Sequence, residues 1–323
     1  MPSDLTNETA QTTKSVVIDT DVANDDWMAI LYLLRHPGVS VKAITVTGTG
    51  EAHSVPGARH SLELVALAGQ PDIPVAWGRE TPLGGGQPFP DSVRDAIDNL
   101  MGLTLPPTPN AAVEGGAVEL LISAVKDSPQ KVTVLALGPL TNLAEALRDE
   151  PSFIDNVDVI YVMGGAVDVR GNVFVEEFAN DVAEWNIFCD PLAANQVFYS
   201  GAPITLVPLD ATDQVPVTEA FFKRIEADHE TAEADFVYEL LVKTRSHIRT
   251  GRYYFWDPLA AAVLTDESLT SFEQRELTVV VEDGPQSGRT MSVEGGASIR
   301  VCTGADRGRF ETLFLNVLNG RLV

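Results

Sequence analysis

The sequence predicts an α/β protein, a mostly parallel, doubly wound, Rossmann-like sheet with helices on both faces. Three observations carry that expectation. Short apolar runs of about four to eight residues, of the kind buried on both faces of a parallel sheet, recur along the chain. Segments with apolar residues at helical spacing stand between them. Turns fall where Gly, Pro and Asp cluster, so strands and helices alternate in the way that crossover connections require.

Taken in order, residues 15–18 (Ser-Val-Val-Ile) form the first run and end at Asp19. Asp25 and Asp26 then sit where first-turn acids favour a helix N-terminus. Met28, Ile30, Leu31 and Leu34 recur at helical spacing, and His36-Pro37-Gly38 stops the helix. Residues 41–47 read as a strand, 57–68 as a helix and 73–77 as a strand. Gly84-Gly85-Gly86 and Pro88-Phe89-Pro90 mark a long loop. Residues 118–125 are helical and 132–137 form a strand, after which Gly138-Pro139-Leu140-Thr141-Asn142 turns into a helix over 143–148. A strand over 157–163 ends at Gly164-Gly165, 193–199 is helical, and a strand over 204–209 ends at Asp210. Helical segments cover 219–248, two late strands fall at 277–281 and 291–301, and 310–318 closes the chain as a helix. We expect residues 1–14 to be disordered and 15–323 to form one domain. Ligands of such a sheet gather outside the carboxyl ends of its strands, so function narrows to a few loops.

Composition removes whole classes of partner. The 323 residues carry 22 Lys+Arg against 46 Asp+Glu, a net charge of −24. That charge repels phosphate backbones and anionic headgroups, so nucleic acid and membrane are excluded as partners, and small ligands and cations remain. Two cysteines, Cys189 and Cys302, are too few for a disulfide framework or a Cys-based zinc site. No apolar run reaches the length of a membrane span, and the polar stretch 1–14 has no signal-peptide core. The expected location is cytoplasmic.

Asp19-Thr20-Asp21-Val22-Ala23-Asn24-Asp25-Asp26 places four carboxylates at a strand's carboxyl end. Their mutual repulsion is costly unless a cation, a helix dipole or an ordered ligand offsets it. A hard divalent cation is the economical answer, because carboxylate and carbonyl oxygens suit it and no Cys or His cluster offers a softer site. The plainer alternative has Asp25 and Asp26 capping a helix while Asp19 and Asp21 decorate a loop. Downstream, Asn172, Asn180, Glu184 and Asn186 supply both donors and acceptors, a mixture that suits the neighbouring hydroxyls of a sugar. Tyr253-Tyr254-Phe255-Trp256-Asp257-Pro258 sets an aromatic cluster before an acid that opens an apolar helix. Alone, it reads as a core edge.

Together these segments resemble the inosine-uridine preferring nucleoside hydrolase family. The likeness rests on the acidic block 19–26, Leu137-Gly138-Pro139-Leu140-Thr141-Asn142, Met163-Gly164-Gly165, Glu184-Trp185-Asn186, Val207-Pro208-Leu209-Asp210 and Asp257-Pro258, in that order. It implies a calcium-dependent enzyme that splits the N-glycosidic bond of ribonucleosides with water, working as a homo-dimer or homo-tetramer. Asp21, Asp26, Asp257 and the main-chain carbonyl of Leu137 would ligate the calcium, and Asp21 would take the proton of the attacking water. Asp25, Asn186 and Asp257 would hold the ribose 2′- and 3′-hydroxyls. Glu184, Met163 and either Asn172 or Asn180 would face the 5′ side, with Asp19 as outer support. Attack by one water held on one sugar face implies inversion at the anomeric carbon.

Two departures bear on substrate choice. Many members carry a His before the last metal-binding Asp, where this chain has Trp256; that change resembles the purine-specific branch, whose base stacks between aromatic rings, and implies a purine preference. The first stacking Trp of that branch is here Val93. In Thr49-Gly50-Glu51-Ala52-His53, Glu51 stands where the family often has Asn, so it would position water or ribose, and His53 becomes a candidate acid. Two rivals remain: a calcium-dependent nucleoside-binding protein without turnover, and a haloacid-dehalogenase-like phosphatase built on Asp19-Thr20-Asp21.

Overall fold

The computed structural model describes residues 13–322. Of the stretch expected to be disordered, residues 1–12 lie outside that range, while Lys14 already opens the first strand. A nine-stranded sheet forms the centre, in the order β3-β2-β1-β4-β5-β6-β9-β7-β8. The strands are β1 (Lys14–Thr20), β2 (Val39–Val46), β3 (Val75–Trp77), β4 (Val132–Ala136), β5 (Val157–Met163), β6 (Ile204–Val207), β7 (Phe272–Val279), β8 (Thr290–Ser292) and β9 (Ala297–Cys302).

Strands β1 to β6 and β9 pair in parallel, and β7 runs antiparallel to both β8 and β9. The sheet is therefore mostly parallel, as the alternation predicts. Its buried strands are β-branched and apolar, which is why β4 is buried at every position and β1 from Val16 onward. Two apolar cores lie on opposite faces. One packs the helices Asn24–Arg35, Trp256–Thr265 and Arg307–Leu318; the other packs Ala117–Lys126, Thr141–Asp149 and Pro191–Phe198.

Three elements depart from expectation. The strand over 204–209 stops at Val207 because Pro208, which has no N–H to give a ladder, caps the short helix Leu209–Thr212; Asp210 is helical. A helix at Asp91–Asp98 follows Pro88-Phe89-Pro90, where only a loop is expected. The late strand expected over 291–301 breaks into β8 and β9, with Gly295 between them in a left-handed turn conformation, whereas the helical segments expected over 219–248 are present as Glu219–Glu226, Ala232–Lys243 and Arg245–Arg249. Among the described residues no helix is long and apolar enough to cross a membrane.

The chain winds from β1 outward to β2 and β3, then returns to lay β4, β5 and β6 on the other side of β1. The strand order reverses between β1 and β4, and a reversal of this kind opens a crevice at the carboxyl ends of the two strands. The residues that follow those strands are the acidic block and Leu137.

Candidate functional site

Asp19 is the last carboxylate inside β1, paired beside Thr45. It is buried, and its Oδ1 accepts from Thr45 Oγ1 at 2.6 Å and from Asn142 Nδ2 at 2.8 Å. Burial raises its pKa to about 6 against the lowering effect of those two bonds. Its role is to tie β1, β2 and the turn after β4 together. With Oδ1 spent on Thr45 and Asn142, Asp19 is held as a support of the fold and not set up as the nucleophile that the phosphatase reading of Asp19-Thr20-Asp21 requires.

The chain then turns sharply at Val22, whose φ of 60° is a left-handed conformation unusual for a β-branched residue. Thr20 Oγ1 accepts from the Val22 N–H at 2.9 Å and the Trp27 indole donates to the Val22 carbonyl at 2.8 Å, so the turn is held at both ends. Strain of this kind costs about 1–3 kcal/mol and persists where its surroundings over-determine it. Here it lets Asp21 and Asp26 face the same space.

Asp21 is pinched between two loops. Its Oδ2 accepts from the Glu51 N–H at 2.8 Å and its carbonyl from the Ala52 N–H at 3.1 Å. On the other side, a Cβ at Gly138 would lie 2.7 Å from the Asp21 nitrogen, and one at Gly50 would collide with the Asp21 carboxylate. Only glycine permits this approach at either position.

Asp25, Asp26 and Asp257 each bring one carboxylate oxygen within 4.8 Å of the other two. Asp21 stands beside this triad, its charge felt by all three. Asp26 and Asp257 are fully enclosed, whereas Asp25, at 9% exposure, lies at the open edge. Thr20 donates to Asp26 Oδ1, but Asp26 Oδ2 and Asp257 Oδ1 are buried with no hydrogen-bond partner among the described residues. Burial, then mutual repulsion, pushes Asp26 and Asp257 well above the usual carboxylate range; Asp21 and Asp25 rise to about 7, chiefly by burial. Unpaired buried anionic oxygens at this density fit a hard divalent cation and little else. Glu51 adds a further acid, pushed well above its usual range by burial and by the charges of Asp21 and Asp25.

The opposite wall comes from the carboxyl ends of β4 and β5. Asn186 Nδ2 donates to the Leu137 carbonyl at 2.8 Å and to the Met163 carbonyl at 3.2 Å, which commits both amide protons and leaves Oδ1 free to accept. Glu184 caps the helix Trp185–Cys189: its Oε1 accepts from the Asn186 N–H and its Oε2 from those of Ile187 and Gly165. Burial raises its pKa to about 7. The Glu-Trp-Asn motif thus reads first as a helix start that orients Asn186.

Of the two asparagines the sequence leaves open, Asn180 is occupied. Its Oδ1 accepts from the Val182 and Ala183 N–H groups and its Nδ2 donates to the Ser287 carbonyl, so it holds its own loop in shape. Among the described residues Asn172 uses only Oδ1, on the Trp185 N–H at 3.0 Å, and its amide nitrogen is not engaged.

Trp256 opens the helix Trp256–Thr265 and packs against Tyr253 and Tyr254, with ring centroids 5.8 and 5.6 Å away. Its ring is therefore spent on chain neighbours, which weakens it as a stacking platform for a purine. A second aromatic pair joins residues far apart in the chain: Phe89 stacks on Trp185 with centroids 4.1 Å apart, ninety-six positions away in sequence. No local pattern announces such a contact.

Comparison with known proteins agrees with this fold. The family model described as inosine-uridine preferring nucleoside hydrolase matches residues 16–312. The inosine-uridine preferring nucleoside hydrolase of Bacillus anthracis superposes with a TM-score of 0.82 at 26% identity, covering 95% of this chain and 100% of that one. A purine-preferring ribonucleoside hydrolase from Gardnerella vaginalis gives 0.80 at 30% identity, with 95% and 99% covered. Uridine nucleosidase 1 of Arabidopsis thaliana is 40% identical over 206 residues, which is 64% of this chain and 59% of that relative's length.

Proposed function

This chain belongs to the inosine-uridine preferring nucleoside hydrolase family, and from that premise we propose that it hydrolyses the N-glycosidic bond of ribonucleosides to free base and ribose. The observation that carries the reading is the set of buried, partnerless carboxylate oxygens at the reversal point of the sheet. Asp21, Asp26, Asp257 and the Leu137 carbonyl would hold a divalent cation, for which calcium is the proposal because every donor is a hard oxygen. When bound, the cation acts as a Lewis acid that lowers the pKa of water and orients it toward the sugar. Asp21, outside the tight triad and fixed by the Glu51 N–H, takes the proton of the attacking water.

Asp25 at the open edge and Asn186 through its free Oδ1 would accept from the ribose 2′- and 3′-hydroxyls, with Asp257 beneath them. The donors and acceptors of Asn172, Glu184 and Met163 line the 5′ side, and Glu51 borders the water. Partial positive charge develops on the sugar ring as the base departs, and this ring of carboxylates favours it. Ribose released from a nucleoside panel is the direct test. Binding of nucleoside without release of ribose would favour the binding-protein alternative.

The purine preference expected from Trp256 is not supported. Its ring is engaged by Tyr253 and Tyr254, and the Arabidopsis relative is named for uridine, although the Gardnerella structure is purine-preferring. We therefore propose uridine as the better substrate. The expected ratio of kcat/KM for uridine over inosine is about tenfold, in the range that pocket shape alone provides. Trp256→Ala is expected to change that ratio less than about threefold. A wild type that favours inosine, with the preference abolished in Trp256→Ala, would restore the stacking role.

Asn186→Ala is expected to cost about 1–3 kcal/mol, because the Leu137 and Met163 carbonyls lose their donor and the ribose loses an acceptor. Measured as kcat/KM on uridine, that is a fall of about 5- to 150-fold. The gap between uridine and 2′-deoxyuridine should narrow in the same variant; equal wild-type rates on the two would contradict the clamp.

A further inference from the structure

Among the described residues, none of the groups already placed in the site is a donor for the departing base. A nucleobase leaves poorly as an anion, so the nitrogen that loses the sugar needs a proton. The indole of Trp256 is not an acid in water, and its N–H is buried. Of the five histidines, His36 closes the helix Asn24–Arg35 at the far end of the sheet, near the start of β1. His60 is buried against Trp27 and pushed down to about 4, first by burial and then by Arg59. His229 stacks on Tyr238, and His247 stands exposed with no carboxylate fixing its ring among the described residues. His53 alone stands on the loop that follows β2 at the acidic end.

Its setting is built. The Asp98 carboxylate accepts from the His53 backbone N–H at 2.9 Å through Oδ1 and meets the ring Nδ1 at 2.6 Å through Oδ2. Two contacts from one carboxylate fix both the backbone and the ring plane. Because an ionised carboxylate only accepts, Nδ1 carries a proton toward Asp98 and Nε2 faces away. The side chain is 38% exposed, so Nε2 reaches open space. The preceding residues are equally fixed: Arg94 donates to the Gly48 and Ala52 carbonyls, while the Glu51 and Ala52 N–H groups hold Asp21. Arg94 and Asp98 share the helix Asp91–Asp98, which follows Phe89 and its stack on Trp185. His53 thus follows directly on Glu51 and Ala52, the two residues whose N–H groups hold Asp21.

We propose that His53, oriented by Asp98, donates the proton to the departing base. The proposal rests on the hydrolase reading and adds a residue to it. In the step, the bond from the anomeric carbon to the base nitrogen breaks and its electron pair goes to the base, which takes the proton from His53 Nε2. The water oxygen bonds to the anomeric carbon and its proton passes to Asp21. His53 regains a proton from solvent through its exposed edge and Asp21 releases one, so the sum is nucleoside plus water to base plus ribose.

The test compares two leaving groups: uracil in uridine, which needs protonation, and 4-nitrophenolate in 4-nitrophenyl β-D-ribofuranoside, which does not. His53→Gln is expected to lower kcat on uridine by about 10²–10⁴-fold, the usual worth of a general acid, and on the nitrophenyl riboside by less than about threefold. Asp98→Asn, which keeps the fold contact with the backbone, should show the same split with a smaller loss, since it frees the ring. A merely structural role would lower both substrates together. Equal losses on the two compounds, or no loss on uridine, would overturn the proposal while leaving the hydrolase reading intact. A wild type that splits neither compound would overturn both.

Discussion

Asp21→Asn is expected to reduce kcat for ribose release from uridine by about 10³–10⁴-fold, at the upper end of what removal of a general base costs, because a metal-side charge disappears with it. The substitution isolates chemistry from folding. Asn has the shape of Asp, so it still fits between Gly50 and Gly138, and its Oδ1 can still accept from the Glu51 N–H. What it cannot do is take a proton or carry a negative charge beside Asp26 and Asp257. The KM for uridine should move far less than kcat, since the groups proposed for ribose are untouched. The measurement is initial rate against uridine concentration, with the melting temperature recorded for both proteins. A variant that melts like the wild type and keeps kcat within tenfold would place the base elsewhere.

Removing the cation is expected to destabilise the protein more at pH 8 than at pH 5. In the bare site, burial raises Asp19 to about 6 and Asp21, Asp25 and Glu184 to about 7, with Asp26 and Asp257 well above the usual range. A pKa raised on folding stabilises the folded state fully below the unfolded value, near 4, and that stabilisation is lost as pH rises through about 6 to 7. The metal-free protein therefore weakens over this window as uncompensated charges form. A cation must displace those protons to bind, so its affinity should rise about tenfold per pH unit for each proton displaced. Protein stripped with a chelator and desalted should lose more than about 5 °C in melting temperature between pH 5 and pH 8. Millimolar calcium should restore the loss at pH 8 and change little at pH 5. Identical melting with and without calcium at pH 8 would remove the metal from the site.

Local patterns in the chain announce the acids, and distant pairings decide their work. The strand ending at Asp19 and the helix carrying Asp25 and Asp26 are readable because burial on both faces writes a continuous apolar run and helix starts collect acids. That Asp19 turns inward to Thr45 and Asn142 is not readable, since it depends on the neighbours that β2 and the turn after β4 supply from 26 and 123 positions away. The same limit explains Asn172 and Asn180. Both are asparagines in one loop, and only the approach of Ser287 from 107 positions away decides which of them is free. The Glu184 cap is a local signal, legible in principle as an acid preceding a short helix, yet its sugar-like chemistry hides it. The antiparallel β7 follows from pairing with β8 and β9, which the amphipathic pattern of a strand does not specify.

The pinching of Asp21 by Gly50 and Gly138 separates importance from contact. Neither glycine has an atom that could ligate an ion, donate a proton or touch a sugar, yet each fills a space in which one added methyl group would displace the Asp21 carboxylate or its backbone. Selection acting on this site's chemistry would therefore be recorded partly at positions with no side chain. A census of tolerated residues along the chain would show two sites as intolerant as any acid, on loops 88 residues apart, linked only by the aspartate between them.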